Sequence, residues 1–217
     1  GNLVSALAQT KKGDEVIIMG KTYLGYAEAL KLTEDRSVNL PVHVEDGYQP
    51  KIERFKKLIT GKTRGIVILS PDNPTGRVMK PELVKAIVEE AVDRHLWIVS
   101  DDIYNHIIYE GTHTWISELN GAWEHTITVN SFSKTASMPG LRVGYAYGPA
   151  DAVKGLEKIA QYMNLCPNSF SQLVAIAFLK SGVKDDYLNR TVLPTYKQRR
   201  DQMAKSIREH LPEAKTA

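Results

Sequence analysis

A chain of 217 residues, 42% hydrophobic and 24% charged, has the length and apolar content to bury one substantial core plus at most an appendage. Its net charge of +3 is mild and no run of five or six like charges occurs, so neither a nucleic-acid nor an anionic-membrane partner is expected. Cys166 is the sole cysteine, which excludes an internal disulfide and a multi-cysteine metal site and leads us to expect a reducing, cytoplasmic setting; no apolar run reaches the roughly 18 residues of a membrane span.

In chain order, Leu3 to about Lys11 reads as a helix, followed by a strand at Glu15-Val16-Ile17-Ile18-Met19. Helical signals return from Tyr23 to Leu32, and Pro41-Val42-His43-Val44 reads as a short strand. Lys51 to Ile59 is amphipathic, with Ile52, Phe55, Leu58 and Ile59 on one face. Gly65 to Ser70 is an apolar strand that stops at Pro71-Asp72-Asn73-Pro74-Thr75-Gly76. Pro81 opens a helix carrying Leu83, Ile87, Ala91 and Val92, and the strand Leu96 to Ser100 runs into Asp101-Asp102-Ile103-Tyr104. Strands at Thr126 to Asn130 and Val143 to Tyr147 precede helices near Pro149 to Met163 and Ser169 to Lys180. The last helix runs from Asp185 to about His210, with a kink expected at Pro194.

Short apolar strands alternating with helices predict an α/β fold, a three-layer α/β/α sandwich around a mostly parallel sheet. Ligands of such sheets gather beyond the carboxyl ends of the strands. Three polar clusters fall there: Asp72-Asn73, Ser100-Asp101 and Ser131 to Lys134. Hydroxyls, the Lys134 amine and the Arg142 guanidinium at the mouth of a sheet suit a phosphorylated ligand, and a lysine so held can also condense with an aldehyde.

Other motifs lead nowhere. Two Gly-Lys-Thr triplets, at 20–22 and 61–63, lack the upstream glycine of a phosphate-binding loop, where Glu15 and Lys56 stand instead. The six histidines show no metal-ligand spacing, and Ser131 and Ser133 lack the glycine-flanked elbow of a serine hydrolase. The basic run Lys197-Gln198-Arg199-Arg200 reads as the wet face of the last helix.

Four elements occur in one order: Asn73-Pro74-Thr75-Gly76, Asp101-x-x-Tyr104, Ser131-x-Ser133-Lys134, and Arg142 eight residues after that lysine. Together they resemble the fold-type-I aminotransferases that use pyridoxal 5'-phosphate, with the prokaryotic aspartate aminotransferases the nearest branch. The resemblance implies that Lys134 is the lysine joined to the cofactor's aldehyde and, once freed by the substrate, the general base. It implies that Asp101 faces the pyridine nitrogen and that Asn73 and Tyr104 hydrogen-bond the phenolic oxygen. Tyr23 corresponds to the aromatic that stacks on the ring, although Lys21 stands where the family usually has proline. Ser131, Ser133 and Arg142 correspond to the phosphate clamp, completed by the helix start at Asn2 and Leu3.

The resemblance further implies a cofactor-binding large domain over 1–183, lacking its N-terminal segment, and an interdomain helix over 184–217 leading to a small domain that is absent. The family's arginine for the substrate's α-carboxylate belongs to that domain. The abrupt start at Gly1 and end at Ala217 fit a fragment. The implied activity moves an amino group between an α-amino acid, aspartate as the best guess, and a 2-oxo acid such as 2-oxoglutarate, in a homodimer. A β-eliminating lyase on the same scaffold, a cofactor-binding regulatory domain and a cofactor-binding fragment without turnover are the alternatives.

Overall fold

The computed structural model describes residues 10–20 and 22–214. Six strands form one sheet in the order β2-β1-β3-β4-β5-β6, where β1 is Glu15–Met19, β2 Arg36–Leu40, β3 Thr63–Leu69, β4 Trp97–Asp101, β5 Thr126–Ser131 and β6 Gly144–Tyr147. The first five are parallel and β6 returns antiparallel to β5. The helices are α1 (Gly25–Leu32), α2 (Ile52–Leu58), α3 (Pro81–Asp93), α4 (Phe132–Thr135), α5 (Ala150–Asn164), α6 (Ser169–Lys180), α7 (Val183–Tyr187) and α8 (Leu193–His210).

The central strands are apolar along their whole length because helices cover both faces of the sheet. Successive side chains of a strand point to opposite faces. Ile17, Met19, Ile66, Ile68 and Ile98 therefore meet Phe55 of α2 and Val84, Ile87, Val88 and Ala91 of α3. Their neighbours Val16, Ile18, Val67, Val99, Ile127 and Val129 meet Tyr26 and Leu30 of α1 and Leu156 of α5 on the other side. This is the expected three-layer α/β/α arrangement. Positions 84, 87, 88 and 91 share one stripe of α3, and Pro81, whose missing N–H costs nothing in a first turn, starts that helix. Burying each such aliphatic side chain contributes about 1.5–3 kcal/mol.

One expected strand needs correction. The short strand lies at Arg36–Leu40 rather than Pro41–Val44: the ladder with β1 runs from Glu15↔Arg36 to Met19↔Leu40, and Pro41 has no N–H to extend it. Val44 instead opens a 3-10 turn, Val44–Asp46. An edge strand with a polar, half-exposed face carries little apolar signal, which is why the sequence pattern passed it over. The residues after Asp101 form turns, and the buried Asp102 carboxylate accepts from the Ser100 hydroxyl at 2.6 Å.

The last helix is one helical stretch from Val183 to His210, as its pattern predicts. A π-helical turn, Leu188–Val192, separates α7 from α8, and Pro194 sits in the first turn of α8. Widening the helix just before the proline accommodates the hydrogen bond that the proline cannot make. The helix predicted over Leu3 to Lys11 lies mostly outside the described residues; Thr10 and Lys11 are not helical. Among the described residues, no helix is long and apolar enough to cross a membrane.

Candidate active site

The strand order reverses between β1 and β3, so the loops leaving their carboxyl ends part and open a crevice. A direct hydrogen bond closes its floor. The Thr22 hydroxyl, just after β1, donates to Asp72 Oδ1 at 2.6 Å, just after β3, with both side chains buried. Thr75 donates to the other carboxylate oxygen at 2.7 Å, and the buried Arg77 guanidinium lies 3.9 Å from Oδ1 while donating to the carbonyls of Tyr48 and Leu69. Burial pushes the Arg77 pKa down and Asp72 opposes that, so at this distance the pairing does not fully offset desolvation. This network holds the 70–77 loop that presents Asn73.

Asn73 Nδ2 donates to the Tyr104 hydroxyl at 3.4 Å, and Lys134 Nζ lies 5.6 Å from the centroid of the Tyr104 ring. Lys134 is held by the short helix α4, whose N-cap is Ser131: its hydroxyl accepts from the Ser133 N–H at 3.1 Å. Asn73, Tyr104, Ser133 and Lys134 thus line one cavity of about 840 Å³, together with Tyr109, Glu110, Tyr196 and Arg200.

Asp101, at the carboxyl end of β4, is 5% exposed. Its Oδ2 accepts from the Tyr26 hydroxyl at 2.5 Å and its Oδ1 from the Ile103 N–H at 3.2 Å. Burial raises the Asp101 pKa, and the Tyr26 hydrogen bond works against that rise.

The structure therefore gathers four of the sequence-derived residues, Asn73, Tyr104, Ser133 and Lys134, around one cavity. Asp101, Tyr23, Ser131 and Arg142 are not among the residues lining it. Tyr23 is 48% exposed, its ring edge-on to that of Tyr26 at 6.2 Å. Ser131 spends its hydroxyl as a helix cap. Arg142, the left-handed residue that ends the 3-10 turn Pro139–Leu141, is exposed and donates to the Pro139 carbonyl at 2.8 Å. Asn2 and Leu3 lie outside the described residues.

Sequence reasoning also missed several groups. Tyr26 was legible as the residue one helical turn after Tyr23, whereas the Thr22–Asp72 bond spans 50 residues and leaves no local trace. Arg200 does not belong to a wholly wet helix face. One turn after Tyr196 on α8, it reaches the cavity wall, with Nη2 at 3.2 Å from Glu110 and its guanidinium 5.1 Å from the centroid of the Tyr109 ring.

Fold and site together define a doubly wound α/β domain with an accessible lysine, an amide–phenol pair and a buried carboxylate at the carboxyl edge of its sheet. The sequence profile of the family "Aminotransferase class I and II" matches residues 1–216, and the chain belongs to that family. An aspartate aminotransferase of Pyrococcus abyssi is 36% identical over 179 residues, 82% of this chain and 46% of the relative. A probable aspartate/prephenate aminotransferase of Thermus aquaticus is 34% identical over 195 residues, 90% of this chain and 50% of the relative. The crystal structure of an aromatic aminotransferase from Pyrococcus horikoshii superposes with a TM-score of 0.92 at 34% identity, covering 96% of this chain and 56% of the other. The chain thus spans about half the length of the relatives it matches.

Proposed function

We propose that this chain is the cofactor-binding part of a pyridoxal 5'-phosphate-dependent aminotransferase that moves an amino group between an α-amino acid and a 2-oxo acid. In this reading 1–183 is the large domain and 184–217 the interdomain helix. Family membership supports the reaction class. Aspartate with 2-oxoglutarate is the favoured pair because relatives of this similarity include aspartate aminotransferases.

The residues fit the cofactor. The observation that carries the reading is the Lys134 amine opening into the same cavity as the Asn73–Tyr104 pair, while a buried carboxylate stands at the adjoining strand end. Among the described residues Asp101 forms no ion pair, so a protonated ring nitrogen would supply the cation that this buried acid lacks. Bound there, the cofactor supplies the electron sink for the substrate's Cα electrons.

Lys134 Nζ moves the proton at the substrate's Cα, being the primary amine that lines the cavity. Asn73 and Tyr104 would hold the phenolic oxygen through their amide and hydroxyl donors, and Tyr23 would cover the ring face. Ser131, Ser133 and Arg142 would hold the phosphate, Arg142 after leaving the Pro139 carbonyl, with Asn2 and Leu3 adding backbone N–H groups. The exposed apolar side chains Tyr162, Leu165, Phe170 and Leu173 support a homodimer that covers them, and the single, exposed Cys166 supports a reducing cytoplasmic setting.

The test is chemical. Protein mixed with pyridoxal phosphate and reduced with borohydride should carry the label on Lys134, and Lys134→Ala should carry none. Mass spectrometry that finds the label on another lysine, or on none, refutes the proposal. Pyruvate and ammonia released without an oxo-acid acceptor would replace transamination by β-elimination.

A further inference from the structure

We propose that Tyr26 is a positioning residue for this site: its hydroxyl holds the Asp101 carboxylate in one orientation and ties it mechanically to the aromatic Tyr23. The inference rests on the reading that Asp101 faces the cofactor ring, and it concerns a residue one turn away that has no access to the cavity.

Tyr26 is 2% exposed. Its ring is packed in the sheet-facing layer with Val16, Ile18, Leu30, Val67 and Val99, so the phenol cannot swing. From that fixed ring the hydroxyl reaches Asp101 Oδ2 at 2.5 Å, a contact between two side chains that are both buried. The Ile103 N–H takes Oδ1. With one donor on each oxygen, rotation of the carboxylate breaks a bond at either end, and each oxygen keeps an acceptor site for a ligand. The other side of Tyr26 meets the ring of Tyr23 at 6.2 Å and 88°, an edge-on contact that sets the plane of the more exposed ring.

One buried tyrosine therefore sets both the acid and the aromatic that the cofactor would touch. Burial, and then the neighbouring Asp101 carboxylate, raises the Tyr26 pKa well above the ordinary tyrosine value, so the phenol keeps its proton and its hydroxyl is the donor. Phenylalanine would fill the same space and remove only that donor, leaving Oδ2 buried without a partner.

The experiment compares the full-length protein with its Tyr26→Phe variant, both shown folded by circular dichroism, for pyridoxal phosphate affinity and for the pH midpoint of the bound cofactor's absorption band. Loss of a hydrogen bond to a buried charged group predicts about tenfold or weaker cofactor binding. It also predicts a displaced band midpoint and, in turnover, a fall in kcat with the amino-acid KM little changed. Borohydride should still label Lys134 in both proteins. In an Asp101→Asn background, Tyr26→Phe should add little further loss.

Labelled wild type together with a Tyr26→Phe variant that binds as tightly, with the same band midpoint, overturns the role of Tyr26 and leaves the cofactor reading standing. Wild type that takes no label overturns both. Should Tyr26→Phe fail to fold, 3-fluorotyrosine at position 26, which keeps the ring but makes the phenol more acidic, must displace the midpoint; an unchanged midpoint overturns the proposal.

Discussion

Replacing Arg77 by methionine tests the floor of the crevice. The substitution keeps much of the side-chain length but removes the guanidinium, whose side chain is 1% exposed, from beside a carboxylate that is 3% exposed. The Tyr48 and Leu69 carbonyls lose their donors, and Asp72 loses its counter-charge while keeping the hydroxyls of Thr22 and Thr75. Breaking a buried pair from one side costs about 3–5 kcal/mol, chiefly because the remaining charge is uncompensated. The two retained hydroxyls place the expected loss near the lower end, at about 3 kcal/mol. Adding Asp72→Asn to Arg77→Met removes the stranded charge and should recover about 1 kcal/mol or more. Urea unfolding followed by circular dichroism measures each corner of the cycle, with the slope checked for constancy. The 70–77 loop also presents Asn73, so the single variant should bind pyridoxal phosphate more weakly. A loss below about 1 kcal/mol, or a double variant no more stable than Arg77→Met, would refute the view that this pair holds the loop through charge compensation.

Two further outcomes follow from packing and titration. A methyl group on Gly65 would stand 2.4 Å from the indole of its cross-strand neighbour Trp97, so Gly65→Ala should destabilise by about 1–3 kcal/mol, read as a lowered Tm; an unchanged Tm would show that the indole moves aside freely. Tyr26 holds its proton well above the ordinary tyrosine range, through burial first and Asp101 second. The folded state therefore binds this proton more tightly than the unfolded chain, and the associated stability is present below about pH 10 and lost as the pH rises beyond it. In an alkaline absorbance titration of the ten tyrosines, Tyr26 should ionise last and together with unfolding; reversible ionisation of all ten within the ordinary range, with the fold intact, would contradict the buried Tyr26–Asp101 bond.

The chain's own pattern determined the layered fold and the residue types that carry the chemistry. Strands buried on both faces must be apolar throughout, and helices packed on one side must repeat with the helical period, so β1, β3, β4 and β5 and the stripe of α3 are visible locally. The ordered motifs at Asn73, Asp101, Tyr104 and Lys134 are likewise local, because each follows one strand end. Tertiary structure alone decided what those residues meet: that β2 begins at Arg36, that Asn73 reaches Tyr104, that Thr22 and Arg77 converge on Asp72, that Arg200 lines the cavity while Arg142 bonds the Pro139 carbonyl, and that Tyr26 holds Asp101. The contacts of Asn73 with Tyr104, Thr22 with Asp72 and Tyr26 with Asp101 join segments that meet only through the sheet, and their geometry depends on strand order and register, which hydrophobic period does not encode.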